Sequence, residues 1–499
     1  MNISQPINSS LISKNNFSLN AQYLLVPKGK NLVLYSLNPS IKKLNKFSFI
    51  STINSAIFSP SSEYFLVLMI KIQECQIKSV KNFDFTIKIK ELLFGIKSAI
   101  WSSNDEYVLL SLNSYNSIHI FSTKDEYENI EEELDNMEIN NEQKNNKNFK
   151  YIISNIKYQN LPQGLSFSYN GGEFMAIAIR RQLKDYLEIY DSEDSYSLVS
   201  SFPCNTTDLE NISWSKDNAF ILVWENNTYD CRLYAYSLSG NLVMMNEPYK
   251  NFPGITKFNI SPNGHYITLG YYDNYVRLIH YLSFKTCKEI NPTNLLLPDI
   301  FNKNSDFIFS KTVILVEDSK KDDINFNHLY DKEKYMFSVE KSFPNKYNQF
   351  KNNDELNYII NFDYSFNSQY LAFNSTKYRH IILIYDINSF KLAFLLVFEN
   401  NVIDFAWSPS SNQLVICTEN ENKIYFFMPQ RVKSFKLPIV DDYKTKENTN
   451  NNSVINSKTL NNNKESKIEK NVFYSSDGKR VLFKSSKFTF FLIEPGIDI

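Results

Sequence analysis

Cysteine is scarce in this chain, and its distribution excludes a disulfide framework as the source of stability. The five cysteines lie far apart, at Cys75, Cys204, Cys231, Cys287 and Cys417. An odd, dispersed set predicts reduced thiols, as in the cytosol or nucleus. No two of them have zinc-ligand spacing, and the five histidines form no His-Glu-x-x-His pattern. We therefore expect no metal site.

Glycine is also scarce, with 11 residues in 499. No glycine-rich loop follows a predicted strand, so there is no candidate loop for the phosphates of a nucleotide cofactor. The chain also lacks the Gly-x-Ser-x-Gly pattern of a nucleophilic serine. These absences predict a protein that is not an enzyme and that needs no cofactor.

Neither charge nor hydrophobicity is concentrated along the chain. It has 53 basic and 54 acidic residues, so no net field directs it to nucleic acid or to an anionic membrane. The longest apolar stretch, residues 64–70, is much too short to span a bilayer. The first residues lack the basic and then apolar pattern of a signal peptide. The sequence thus predicts a soluble intracellular protein that binds neither nucleic acid nor membrane directly.

What the chain does contain is a phrase that recurs nine times. Each copy has apolar or aromatic residues, a serine, a polar turn and a further apolar run. The nine serines are Ser18, Ser59, Ser102, Ser168, Ser215, Ser261, Ser365, Ser408 and Ser475. The residue before the serine is Trp101, Trp214 or Trp407 in three copies, which predicts a core position. A repeat of about 40–45 residues built from short strands is typical of WD proteins. We therefore predict an all-β WD40-type β-propeller of about nine four-stranded blades.

The spacing of the copies widens at three places. Two of the long gaps contain Asn-, Lys- and Glu-rich tracts, at about residues 125–150 and 441–470, which we predict to be disordered insertions. The third contains strand-like runs at about residues 300–345, which predicts a cryptic blade without the serine phrase. We expect residues 1–290 to form propeller repeats and residues 291–499 to form further WD40-like blades. The blades could form one enlarged ring, or a main ring with a smaller second module.

One predicted turn carries an unusual density of charge. Arg180, Arg181, Lys184 and Asp185 lie between two predicted strands and are followed by Tyr186. In a WD blade this turn lies on the same rim as the connections between blades, where partners usually bind. Three cations there suit an acidic helix or tail. The alternative is a solvated turn in which Asp185 accepts hydrogen bonds from backbone amides.

The phrase around this turn resembles one in a known family. Residues 175–186 read Met-Ala-Ile-Ala-Ile-Arg-Arg-Gln-Leu-Lys-Asp-Tyr and are similar to a phrase of the WD-repeat protein eight family, proteins of centrosomes and spindle poles. Further similar phrases follow in the same order at residues 208–214, 222–224, 233–242, 270–278, 414–418 and 423–429. The resemblance is clearest over about residues 160–430. The two Asn-rich insertions depart from the family pattern.

The resemblance implies a non-enzymatic scaffold or adaptor at the centrosome or spindle pole, a microtubule organising centre. Such a protein would support microtubule minus-end anchoring and mitotic spindle assembly by binding a coiled-coil spindle-pole protein and, in some lineages, a minus-end-directed kinesin. The charged turn would form part of the partner rim. The alternative is a propeller scaffold subunit of a translation or RNA-processing assembly, because enlarged propellers occur among translation factors. A third alternative, an enzyme with a central pocket, would need an acidic or histidine cluster that the sequence does not indicate.

Overall fold

The structure is a computed structural model. It describes residues 2–3, 7–8, 13–123, 149–169, 171–249, 254–295, 313–317, 337–340, 358–419, 423–429, 431–436, 471–484 and 489–494. The insertions predicted at about residues 125–150 and 441–470 lie outside these ranges, except for the start of a strand at Phe149. Within these ranges no helix is long and apolar enough to cross a membrane.

Nine sheets are arranged as the blades of one ring. In each blade, consecutive strands pair in antiparallel fashion, and the first strands of blades 4 and 5, and of blades 6, 7, 8 and 9 in turn, contact each other. The predicted propeller of about nine blades is confirmed, and blades 7 to 9, which follow residue 290, belong to the same ring. The first strand of blade 7, Ile359–Tyr364, contacts that of blade 6, Ile255–Ile260.

The strands follow the chain order. Blade 1 contains Tyr23–Lys28, Asn31–Ser36 and Lys42–Ser48. Blade 2 contains Ser55–Phe58, Tyr64–Met69, Glu74–Ser79 and Thr86–Lys90. Blade 3 contains Ile96–Trp101, Tyr107–Leu112, Ser117–Ser122 and Phe149–Ser154. Blade 4 contains Leu165–Phe167, Phe174–Arg181, Lys184–Asp191 and Ser197–Pro203. Blade 5 contains Leu209–Trp214, Ile221–Glu225, Leu233–Tyr236 and Leu242–Asn246. Blade 6 contains Ile255–Ile260, Tyr266–Tyr271, Val276–His280 and Thr286–Ile290.

The remaining strands complete the ring. Blade 7 contains Ile359–Tyr364, Tyr370–Ser375, Ile381–Asp386 and Lys391–Val397. Blade 8 contains Val402–Trp407, Leu414–Thr418, Lys423–Met428 and Arg431–Lys436. Blade 9 contains Val472–Tyr474, Val481–Lys484 and Thr489–Glu494. The short helices are Lys14–Asn16, Ile70–Ile72, Pro292–Leu295 and Thr376–Tyr378. In blade 1 a single antiparallel bridge, between Phe17 and Leu24, takes the place of the first strand.

The recurring serine is the buried centre of a turn between the first and second strands. Ser261, for example, donates to Asn263 Oδ1 (2.7 Å) and accepts the backbone N–H of Tyr266 (2.9 Å). The same pair of bonds is made by Ser18, Ser102, Ser215, Ser365 and Ser475. A short hydroxyl satisfies backbone groups that the turn would otherwise leave unpaired, which is why serine recurs with Asn or Asp two residues later.

The core is divided among the interfaces between blades. The described residues form nine clusters of buried apolar side chains, and each joins two neighbouring blades. Trp101, Trp214 and Trp407 lie in three of these clusters, which confirms the predicted core position. Because every interface buries a cluster, the free energy of folding is distributed around the whole ring.

The two ends of the chain close the ring. Short strands Asn2–Ile3 and Ile7–Asn8 pair with the last strand, Thr489–Glu494, and so supply the outer edge of blade 9. Arg480, which is buried, donates to the carbonyl of Leu37 in blade 1 (2.6 Å) and pairs with Glu494 (2.8 Å). Closure buries the facing apolar surfaces of blades 9 and 1 against each other.

The prediction of a separate, cryptic blade at about residues 300–345 is wrong for the two strands that the structure describes there. Val313–Glu317 pairs in parallel with Lys391–Val397, the fourth strand of blade 7, and Phe337–Glu340 pairs with Val313–Glu317. Blade 7 is therefore a six-stranded sheet. The apolar run of Val313–Glu317 finds an existing sheet edge, and Leu315 is buried there in the cluster between blades 7 and 8.

Candidate functional site

The ring has two faces that differ in the loops they carry. The serine face carries the nine serine turns and the turns between third and fourth strands. The connection face carries the turns between second and third strands and the connections between blades. This assignment follows from the antiparallel order of the strands in each blade. The charged turn predicted from the sequence, residues 180–185 of blade 4, lies on the connection face, as expected.

The turn itself is a tight hairpin. Arg181 pairs with Lys184, which leaves Gln182 and Leu183 as a two-residue loop with φ of 48° and 65°. Loops of this type match the twist of the flanking strands, although Asn and Gly fill them more easily than leucine does. Leu183 is 87% exposed. The hairpin therefore presents an apolar side chain to solvent between two cations.

Asp185 is the buried anchor of the turn. It is 1% exposed, and its Oδ2 accepts hydrogen bonds from Lys157 Nζ (2.9 Å) and from the backbone N–H of Leu209 (2.7 Å). Lys157 belongs to the connection that enters blade 4, and Leu209 begins blade 5. The same Lys157 Nζ donates to Asp208 Oδ1 (2.7 Å). One carboxylate thus ties two connections to one hairpin, because a buried charge needs this many partners.

The two arginines are held by acids on their inner side. Arg180 Nη1 donates to Asp208 Oδ1 at 2.9 Å, and Arg181 pairs with the buried Glu188. Arg181 also lies over the ring of Tyr186, 5.6 Å from its centroid. Lys184 is exposed and makes no ion pair with a residue that the structure describes.

The structure therefore divides the five predicted partner residues. Arg181 and Lys184 are exposed, and Arg180 and Tyr186 are partly exposed, so all four can reach a partner. The prediction that Asp185 contacts a partner directly is wrong, because its carboxylate is buried between blades. Sequence reasoning missed Lys157 and Asp208, which lie 28 residues before and 23 residues after Asp185 in the chain and are brought to it by the ring.

The corresponding turn of blade 6 keeps its cation inside. Arg277 pairs with Asp273 (2.6 Å) and with Glu289 (2.8 Å), and its side chain is 5% exposed. The guanidinium also lies within 5.0 Å of the ring centroids of Tyr249, Tyr271 and Tyr275. Asp273 Oδ1 in turn accepts the N–H of Tyr275 (3.0 Å) and so stabilises the turn.

Away from these turns, the described residues form an apolar cavity and contain buried cysteines. A cavity of 480 Å³ lies where blades 9, 1, 2, 3 and 4 meet, with aromatic walls from Phe17, Phe58, Trp101, Phe167 and Tyr474. No group of three metal-ligating side chains is found among the described residues. Burial, followed by the Asp185 carboxylate, raises the pKa of Cys204 to about 12, and burial raises that of Cys75 to about 12. Such thiols are protonated and unreactive near neutral pH.

Nine four-stranded meanders with buried serine turns, closed by the N-terminal strands, define a WD-type β-propeller. The chain is 24% identical to the WD repeat-containing protein WRAP73 of Mus musculus over 445 residues, which covers 86% of this chain and 87% of that protein. This match confirms the resemblance to a WD-repeat protein that the sequence predicted, and it extends beyond residues 160–430.

No protein-family model matches the chain. The fold is also similar to a crystal structure of a eukaryotic initiation factor, with a TM-score of 0.51 and 11% identity over 87% of this chain and 91% of that one. At this identity the likeness shows the fold alone.

Proposed function

We propose that this protein is a non-enzymatic WD-repeat adaptor of the centrosome or spindle pole. It supports microtubule minus-end anchoring and mitotic spindle assembly by binding a coiled-coil pole protein, together with a minus-end-directed kinesin. The relationship to a WD-repeat protein over most of the chain supports a scaffold role, and the phrase at residues 175–186 supports the spindle-pole assignment.

The observation that carries the proposal is the position of that phrase. Its residues do not only fill the core: they form an outward hairpin on the face that carries the connections between blades. Asp185 fixes the hairpin from below, while Arg181, Leu183 and Lys184 face solvent. A rigid element that exposes cations and an apolar side chain suits capture of an acidic partner, where charge raises the association rate and the specificity.

The test is proximity labelling from the tagged protein in dividing cells, with its position imaged against the spindle poles. Enrichment of a coiled-coil pole protein, tubulin or a minus-end motor is the expected result. Enrichment of ribosomal or RNA-processing proteins without a focus at the poles would replace this function by the translation or RNA-processing alternative.

A further inference from the structure

On the connection face of blades 1 to 4, acidic and basic side chains lie at different depths. The acids point inward: Glu74 pairs with Lys90 (3.4 Å), Glu91 accepts the N–H groups of Leu93 and Phe94 (3.2 and 3.3 Å), and Asp185 holds Lys157. The exposed charged residues described on this part of the face are all basic: Lys14, Lys28, Lys30, Lys71, Lys90, Lys97, Arg181 and Lys184. This segregation produces a positive surface on a protein whose formal net charge is -1.

The same part of the face exposes apolar side chains. They are Ile50, Leu92, Leu93, Tyr115 and Leu183, and Leu93 is 84% exposed. Tyr115 packs edge-on against Phe94, with ring centroids 4.8 Å apart. Large apolar side chains that recur on one face among charges of one sign are characteristic of a binding surface rather than of an ordinary solvated face.

Hydrogen bonds join the turns and connections of neighbouring blades on this face. The backbone N–H of Ile53, in the connection between blades 1 and 2, donates to the carbonyl of Gly29 (2.9 Å). The backbone N–H of Glu91 donates to the carbonyl of Gln73 (3.1 Å), and that of Ser114 donates to the carbonyl of Phe94 (3.0 Å). Gln159 Nε2 donates to Asn116 Oδ1 (2.8 Å), which links blade 3 to the connection entering blade 4. Because the turns and connections are fixed to one another, the surface is organised before a partner arrives.

The serine face lacks this segregation of charge. It also exposes apolar residues, among them Leu282, which is 73% exposed. Its exposed charges are mixed, with Glu63, Glu173, Glu193 and Asp194 beside Lys81 and Lys216. The connection face of blades 1 to 4 is therefore distinguished by charge.

We propose that the connection face of blades 1 to 4 binds an acidic amphipathic α-helix. The apolar side chains belong to several successive blades, so one inserted side chain cannot cover them, whereas the continuous apolar stripe of a helix can. Acidic residues beside that stripe complement the lysines and Arg181. The inference rests on the proposed function, for which it specifies the surface and the chemistry of the partner helix.

The experiment uses the purified full chain and labelled synthetic peptides about three heptads long. One peptide has a leucine stripe with glutamates on either side, the second is a scramble of it, and the third replaces its glutamates by lysines. A single-stranded RNA oligonucleotide is the fourth probe. Fluorescence anisotropy near physiological salt is expected to show at least roughly tenfold tighter binding of the acidic amphipathic peptide than of every other probe.

The matched variants localise the binding. Leu93→Asp with Leu183→Asp is expected to weaken binding roughly tenfold or more, because both add an acid and remove an apolar contact. Leu282→Asp on the serine face is expected to leave it unchanged. Equal binding of the scrambled peptide, tighter binding of the RNA, binding of no peptide, or equal losses in both variants would each overturn the proposal. Since the assay does not involve the spindle pole, its outcome is independent of whether the protein is found there.

Discussion

The turns of blades 4 and 6 occupy the same position in the repeat but use charge in opposite ways. In blade 6 the buried group is a cation: Arg277 is surrounded by Asp273, Glu289 and tyrosine rings. In blade 4 the buried group is an anion: Asp185 reaches across to Lys157 and to the start of blade 5. The first arrangement surrounds its cation with side chains of blade 6 and of the connection that enters it. The second joins blade 4 to blade 5 and leaves cations outside.

The difference shows that the density of charge in a turn does not by itself indicate binding. Both turns are rich in charged and aromatic residues, and in both the buried ion is necessary for the fold. What distinguishes blade 4 is the sign of the charges that remain exposed, because burial of the acid leaves Arg181 and Lys184 to face solvent. We therefore expect stability to depend on the buried ions and partner capture to depend on the exposed ones.

The largest expected effect is that of Asp185→Ala. It removes the shared acceptor of Lys157 and the Leu209 amide, and it leaves a buried ammonium with fewer partners. We expect a loss of about 3–5 kcal/mol in the free energy of unfolding, measured by chemical denaturation. Asp185→Asn, which keeps an acceptor, should lose less. A loss no greater than that of Asp273→Ala would contradict the assigned difference between the two turns.

The corresponding change in blade 6 is Arg277→Met. It removes two ion pairs and the contacts of the guanidinium with three tyrosine rings, while keeping most of the apolar stem. We expect a loss of about 2–3 kcal/mol, smaller than that of Asp185→Ala because Asp273 and Glu289 are partly exposed. Lys184→Met, at the exposed end of the blade 4 hairpin, is the control and should cost about 1 kcal/mol or less, because this side chain is exposed and makes no described ion pair. Equal losses for Arg277→Met and Lys184→Met would remove the contrast.

Asp404, on the first strand of blade 8, is partly buried, and the pH dependence of stability tests whether its carboxyl group is desolvated in the same way. Asp404 accepts the N–H of Val472 in blade 9 (3.1 Å), and burial raises its pKa from 3.8 to about 6. The folded protein therefore holds a proton that the unfolded chain releases between pH 4 and 6, so this group lowers stability as pH rises through that window. The stability of Asp404→Asn relative to the native chain should rise by roughly 1–2 kcal/mol from pH 4 to pH 7. A flat difference would show that the carboxylate is not desolvated.

The smallest expected effect on stability is that of reversing the exposed charges. Lys71→Glu, Lys97→Glu and Lys184→Glu combined should change the free energy of unfolding by less than about 1 kcal/mol, because each side chain is exposed and makes no described ion pair. Thermal denaturation checks this. Unfolding of the triple variant would mean that these lysines are structural.

The repeat and the fold could be predicted from the sequence because they depend on local chemistry. Each serine turn is made by residues within a few positions of one another, as in Ser261, Asn263 and Tyr266. The attachment of Val313–Glu317 to blade 7 could not be predicted from the sequence, because an apolar strand of that length can pair with any free sheet edge. For the site, the outward hairpin was predictable, but the burial of Asp185 depends on Lys157 and Leu209, which only the ring brings together.

The most direct test of the account compares two triple variants in dividing cells. One carries Lys71→Glu, Lys97→Glu and Lys184→Glu on the connection face, and the other carries Lys285→Glu, Lys391→Glu and Lys479→Glu, an identical change of charge on the serine face. Both proteins should fold, and proximity labelling should show that the first loses its spindle-pole neighbours while the second keeps them. Equal labelling of pole proteins by both variants would contradict the claim that the connection face captures the partner.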